Sequence, residues 1–141
     1  MGFKLIRSVI EGRKLCHAAP EASLREACRR LETCDEGALA VIEKGGLVGI
    51  LTERDVIRRA VCRGLAMDGT SVGRVMTPDP ATADIDESLS DAQTIMMAGR
   101  FRHLPVLDAG RPVGMLSFRD VPAEYRVMVE RYGLYRDGAA L

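Results

Sequence analysis

The chain has 141 residues, with 20 basic and 20 acidic side chains and zero net charge; 47% of its residues are hydrophobic and 28% charged. That balance excludes a disordered, collagen-like or coiled-coil chain, and at this length folding buries roughly 68–70% of the unfolded surface, so a core needs neither disulfide nor metal. No apolar run approaches the ~20 residues of a membrane span, and neutral charge disfavours nucleic acid as a partner.

In chain order, Lys4 and Arg7 interrupt the N-terminus too soon for a secretory signal, and Met1-Gly2 lacks the hydroxyl residue at position 6 that myristoylation needs. The expectation is a cytoplasmic protein. Residues 14–18 read as an extended run. A helix follows, opened by Ser23 and carrying the apolar stripe Leu24, Ala27, Cys28 and Leu31. Two strands, 38–43 and 47–51, flank the turn Lys44-Gly45-Gly46, and a helix begins at Thr52. On it Arg54, Arg58, Arg59 and Arg63 form a basic set, read as a solvated face. Residues 64–71 have the glycines and polar residues of a linker.

The same order then returns. Residues 81–83 are extended, and Ser88 opens a helix with the stripe Leu89, Ala92, Ile95 and Met96. Strands 103–107 and 112–116 turn at Asp108-Ala109-Gly110, and a last helix begins at Ser117, with Pro122 expected to kink it near Asp120. Tyr125, Met128, Val129 and Tyr132 continue at helical spacing to Gly133, a stripe for core packing or for a partner.

Sliding the sequence by 65 positions, the difference between Gly114 and Gly49, brings the halves into register without a gap. Each half is a β-α-β-β-α unit, and a three-stranded sheet under two helices leaves an apolar face that a second copy must cover. The fold class predicted is α+β, with two such units face to face about a pseudo-twofold axis: 1–66, 67–130 and a tail, 131–141. The four cysteines, Cys16, Cys28, Cys34 and Cys62, contain no C-x-x-C pair, which disfavours zinc; buried thiols in a reducing compartment are the expectation for all four.

Each unit closes on one motif, Gly49-Ile50-Leu51-Thr52-Glu53-Arg54-Asp55 and Gly114-Met115-Leu116-Ser117-Phe118-Arg119-Asp120. Two readings fit it. A hydroxyl residue followed three positions later by an acid is a capping box, as Ser23 with Glu26 and Ser88 with Asp91 also suggest. Alternatively, the helix start attracts phosphate, the hydroxyl adds a hydrogen bond, and Asp55 or Asp120 accepts from the hydroxyls of a ribose. The glycine before the motif allows close approach at the sheet edge.

The duplicated unit with Gly-apolar-apolar-[Ser/Thr]-x-x-Asp, together with Arg102-His103-Leu104-Pro105-Val106, resembles the cystathionine β-synthase (CBS) domain as a stand-alone tandem pair, the Bateman module, over about residues 1–130. The resemblance implies a non-enzymatic sensor without obligatory cofactor, binding AMP, ADP or ATP between its two motifs, with S-adenosylmethionine or NAD as alternative ligands. It also implies a homodimer acting on an unidentified regulated protein; a ligand-free interaction scaffold is the alternative. Carried over by position, Asp55 and Asp120 hold ribose beside Thr52 and Ser117. Arg54, Arg102, His103 and Arg119 face phosphate. Leu15, Cys16, His17, Ala38, Leu39, Ala81, Thr82, Leu104 and Pro105 line adenine slots. Gly37-Ala38 stands where the second unit has Arg102-His103, and His17 where it has Thr82, so the two clefts are expected to differ and one occupied site is as compatible as two.

Overall fold

A computed structural model describes residues 4–122. The predicted C-terminal stripe, Tyr125 to Tyr132, lies outside the described residues. Local signals place most elements. Helix α1 (Ile6–Ile10) leads to β1 (His17–Ala18) and α2 (Leu24–Cys34), then β2 (Ala38–Glu43), β3 (Gly46–Thr52) and α3 (Glu53–Val56), which continues as a π-helical turn, Ile57–Val61. Helix α4 (Val72–Val75) and β4 (Thr77–Pro78) cross to β5 (Ala83–Asp84), α5 (Leu89–Gly99), β6 (His103–Asp108), β7 (Arg111–Ser117) and a 3-10 turn, Phe118–Asp120.

Ser23 and Ser88 cap α2 and α5, each hydroxyl accepting from the backbone N–H three residues on, at 3.1 Å. The hairpins turn on Lys44-Gly45 and Ala109-Gly110, all four at positive φ, the conformation that two-residue turns between twisted strands require. Strands β1-β2-β3-β4 form one sheet and β5-β6-β7 another; β1 and β5 run parallel to β2 and β6, and the hairpins are antiparallel.

Each sheet buries one face under its own helices. Leu24, Ala27, Leu31, Leu39, Val41 and Leu51 form the first core, and Leu89, Ala92, Met96, Leu104, Val106 and Leu116 the second. The opposite faces meet between the repeats, where Ala38, Ala40 and Ile50 bury against Met115. The paired α+β architecture expected from the repeat is therefore present.

The linking helices are exchanged between repeats. Helix α1, first in the chain, sends Ile6 and Ile10 into the second core, whereas α4 sends Val72 and Val75 into the first. The exchange is reciprocal down to single hydrogen bonds: Ile6 N donates to Glu87 O as Val72 N does to Ala22 O, and Arg7 N to Ile85 O as Gly73 N to Pro20 O. Burying a side chain such as Ile6 or Val72, both fully covered, contributes about 1.5–3 kcal/mol, so each repeat depends on a helix from outside its own β-α-β-β-α unit. The boundary near residue 66, drawn in chain order, does not follow this exchange. The stretch 64–71 is also more than a spacer: Thr70 is buried, and Thr70 O and Met67 O accept from Leu24 N and Arg25 N at the start of α2.

The exchange corrects the reading of the motif glycines. A Cβ on Gly49 would sit 2.5 Å from Met76 Sδ and 2.9 Å from Thr77 O, and one on Gly114 would sit 3.0 Å from Ile10 Cδ1. The close approach that glycine permits is to the chain leaving each exchanged helix. Arg59 likewise leaves the predicted solvated face, donating to Val75 O and Met76 O at the end of α4. Pro122 ends the helix rather than kinking it: Val121 takes extended backbone, as a residue before proline prefers, and the segment equivalent to α3 stops as a 3-10 turn.

The cysteine expectation is also corrected. Cys16 and Cys34 form a disulfide with their Cα atoms 6.3 Å apart, tying the entry to β1 to the last residue of α2; Cys28 is half-buried and Cys62 exposed. Helical spacing explains the meeting, because Cys34 follows Leu31 by one turn on the face turned toward the sheet. A reducing compartment is accordingly no longer supported by four buried thiols. Closing a loop with sequence separation 18 restricts the unfolded chain, a gain of about 3 kcal/mol for loops near this length. Unfolding by denaturant with and without a dithiol should differ by that amount, and the unfolded chain should offer two reactive thiols before reduction and four after it.

Candidate functional site

Both motif aspartates complete capping boxes. Thr52 N donates to Asp55 Oδ2 at 3.0 Å and Asp55 N to Thr52 Oγ1 at 3.1 Å; Ser117 N donates to Asp120 Oδ2 at 2.8 Å, and Ser117 Oγ accepts from Arg119 N at 3.0 Å. Part of the motif is thus spent on the backbone, and those amides are not open to phosphate. Each carboxylate keeps a second oxygen, and the two side chains are equally buried, 14% exposed. What surrounds that second oxygen differs.

Around Asp55 lies a cleft of about 400 Å³, within the range of small-molecule sites. Its walls come from three places. Ile50 and Thr52–Asp55 belong to the first repeat, Thr77 and residues 79–81 to the crossing segment, and residues 100–103 to the second repeat. Among the described residues Asp55 Oδ1 has distant partners, the Thr77 hydroxyl at 3.5 Å and Arg59 Nε at 3.9 Å. Ile50, Pro80, Ala81 and Phe101 supply apolar surface, and Arg54, Arg100 and Arg102 supply positive charge. The cleft can therefore hold a flat apolar group, a hydroxyl pair and an anion at once.

Asp120 is closed. Arg13 grips it through both nitrogens, Nη2 to Oδ1 at 2.9 Å and Nη1 to Oδ2 at 3.1 Å. That hydrogen bond, with the Glu36 charge added, holds the Arg13 guanidinium above its ordinary pKa. The neighbouring cavity, about 270 Å³, is lined by Asp35, Glu36, Gly37, Glu53, Arg102, His103, Ser117 and Arg119. It meets the Asp55 cleft at Gly37, Glu53, Arg102 and His103.

His103 sits at that junction. Its Nε2–H donates to Glu36 O, 2.8 Å away in the other repeat, since a carbonyl can only accept. Burial pushes the imidazole below its ordinary pKa, more than the Glu36 carbonyl raises it, so at neutral pH the ring carries no charge for a phosphate. Gly37, at φ +76°, leaves room for the ring; a Cβ there would lie 3.3 Å from Nε2. Arg102 stacks on Phe118, 5.5 Å from the ring centre.

Of the predicted site residues, Thr52, Arg54, Asp55, Ala81, Arg102 and His103 converge on the Asp55 cleft, and Ser117 and Arg119 line the smaller cavity. The predicted adenine-slot residues mostly do not reach either. Strand alternation sends Leu39 into the first core and Leu104 into the second, and Ala38 is buried between the repeats. Cys16 is held in the disulfide, Leu15 packs against the inter-repeat core, and Pro105 is buried within β6. His17 is exposed, with its carbonyl accepting from Arg30, and Thr82 lies outside both linings. Missed were Ile50, Thr77, Asp79, Pro80, Arg100 and Phe101 in the cleft, and Arg13. The aromatic and basic run Arg100-Phe101-Arg102, against Asp35-Glu36-Gly37 in the first repeat, was the available signal.

This geometry matches known proteins. The CBS domain family matches residues 9–61 and 72–123. The chain belongs to the CBS domain family. A CBS domain-containing protein of Bacillus subtilis, YhcV, is 33% identical over 104 residues, 73% of each chain. An Arabidopsis thaliana CBS domain-containing protein is 39% identical over 88 residues, 62% of this chain; the chain spans only 16% of that relative's length. Among solved structures, a CBS-domain protein of Agrobacterium tumefaciens is 31% identical with a TM-score of 0.76, covering 84% of this chain and 96% of that one. A CBS domain protein of Pyrobaculum aerophilum, solved in complex with AMP, is 25% identical with a TM-score of 0.78, covering 89% and 96%. These matches are to CBS domains, and the family model matches this chain twice in tandem. Among the described residues no helix is long and apolar enough to cross a membrane, and no three His, Cys, Asp or Glu side chains gather as metal ligands.

The half-buried His103 imidazole carries a pH signature. Below its ordinary pKa near 6.5, the unfolded chain binds a proton that folded His103 resists, so stability falls as pH drops from there through the lower folded value. His103→Gln should flatten this loss by at most about 1.4 kcal/mol per pH unit, read from denaturant melts between pH 7.5 and 5.

Proposed function

We propose that this tandem CBS protein is a non-enzymatic sensor that binds one adenine nucleotide, AMP, ADP or ATP, in the Asp55 cleft. The observation that carries this is the carboxylate of Asp55, capped on one oxygen and facing an open cleft with the other. In this reading Asp55 Oδ1 accepts from the ribose hydroxyls, and Ile50, Pro80, Ala81 and Phe101 hold the base. Arg54, Arg100 and Arg102 attract the phosphates. The AMP-bound Pyrobaculum relative supports the ligand class. S-adenosylmethionine and NAD are the other adenosyl ligands to be compared.

Because the cleft draws walls from both repeats, a nucleotide there favours whichever arrangement of the repeats closes on it, and only a difference in affinity between arrangements can carry a signal. An unidentified regulated protein reads that arrangement. Calorimetric titration of AMP, ADP, ATP, S-adenosylmethionine and NAD should give one equivalent for at least one of them. Asp55→Ala should weaken that ligand roughly tenfold to a hundredfold, the worth of about 1.5–3 kcal/mol for hydrogen bonds to a charged acceptor. The capping boxes favour a second reading, a ligand-free interaction scaffold. Under it no ligand binds at millimolar concentration, and Asp55→Ala only lowers the melting temperature.

A homodimer belongs to the same proposal. Ile57 and Val61, 55% and 60% exposed, stand four residues apart on the π-helical turn, an apolar pair suited to a twofold contact. Light scattering should give twice the chain mass, and Val61→Glu should return it to the monomer value.

A further inference from the structure

The two motif aspartates are equivalent by repeat, equally buried and capped alike, but different segments pass over them. With Ile10 and Met76 on the motif glycines, and Ala18 and Ala83 paired to Val41 and Val106, residues 11–17 correspond to residues 77–82. The second of these segments lays Thr77, Asp79, Pro80 and Ala81 along the Asp55 cleft without filling it. The first places Arg13 on Asp120.

We propose that Arg13 is a built-in occupant of the second ribose position and that it limits the chain to one nucleotide. The inference rests on the reading of Asp55 as a ribose ligand. A diol needs a carboxylate edge open to both of its hydroxyls, and on Asp120 that edge is taken by Arg13: Oδ1 accepts from Arg13 Nη2, and Oδ2 from both Arg13 Nη1 and Ser117 N. A planar guanidinium satisfies the carboxylate two-prongedly, the same geometry a vicinal diol would use. The charge of the surroundings agrees. The turn after α5 gives the Asp55 cleft Arg100, Phe101 and Arg102, whereas the equivalent turn after α2 gives the second cavity Asp35, Glu36 and Gly37. Among the lining residues Arg54, Arg100 and Arg102 balance Glu53, Asp55 and Asp79 at the first site, whereas Asp35, Glu36 and Glu53 outnumber Arg102 and Arg119 at the second, where a cationic side chain is the matched occupant. The position that Arg13 vacates would accept a nucleoside without phosphates in preference to a nucleotide.

The test is binding stoichiometry of the full chain, titrated by calorimetry with AMP and with adenosine. Wild type should bind one AMP. Arg13→Gln should bind a second equivalent of adenosine, with AMP at least tenfold weaker at that added site, and Arg13→Gln combined with Asp120→Asn should lose it again. If Arg13→Gln fails to give a cooperative thermal melt, Arg13→Lys, which keeps the charge but not the fork, serves in its place. A folded variant that still binds one equivalent overturns the proposal and leaves the Asp55 reading standing. No ligand on wild type but one adenosine on the variant supports the role of Arg13 and overturns the Asp55 reading; no binding to either overturns both.

Discussion

The structure depends on the reciprocal exchange of two short helices. Helix α1 covers the second core and α4 the first, each anchored by matching backbone hydrogen bonds and by a side chain pressed on a motif glycine. Neither helix is long enough to be stable in water by itself, so their order comes from burial of Ile6, Ile10, Val72 and Val75. Neither repeat is complete without chain from beyond its own sheet and helices. The exchange therefore ties the two units more tightly than the contact between Ile50 and Met115 could do alone.

The same exchange decides the chemistry. Whatever follows an exchanged helix must run past the motif aspartate of the repeat it covers. On one side the chain that follows is Thr77-Pro78-Asp79-Pro80, which borders a cleft; on the other it is Glu11-Gly12-Arg13, which ends in a cation on a carboxylate. A symmetric scaffold thus carries two asymmetric sites, and the asymmetry lies outside the motif. His103 adds a neutral link across the repeats, reaching Glu36 O beside the Cys16–Cys34 disulfide. The loop after α2 is held from both ends, by the disulfide at Cys34 and by Glu53 N donating to Gly37 O.

The motif caps each helix start, and the proposed ligand role at Asp55 builds on that cap. Thr52 and Ser117 cap, Asp55 and Asp120 return the bond, and the cap engages one oxygen of each carboxylate, Oδ2, leaving Oδ1 outside the box. Capping and ligand binding are therefore not alternatives at Asp55. The backbone bond orients the group, and the remaining oxygen is what a ligand can use.

Sequence alone determined the repeat, the hairpin strands, helices α2 and α5 and the caps Ser23 and Ser88, because each is written in residues a few positions apart: apolar runs on either side of a glycine turn, the 3.6-residue stripe of α2 and α5, and a hydroxyl three residues before an acid. It also singled out Thr52, Asp55, Arg102 and His103. Only the tertiary structure decided which repeat each short helix covers, since Ile6 and Val72 face two nearly alike apolar surfaces and local pattern cannot choose between them. From that choice came the pairing of Arg13 with Asp120 and the walls of the Asp55 cleft. The meeting of Cys16 with Cys34 was decided there as well, by the packing of α2 on the sheet. All of these are contacts between residues far apart in the chain, set by which surfaces pack together rather than by what any segment prefers.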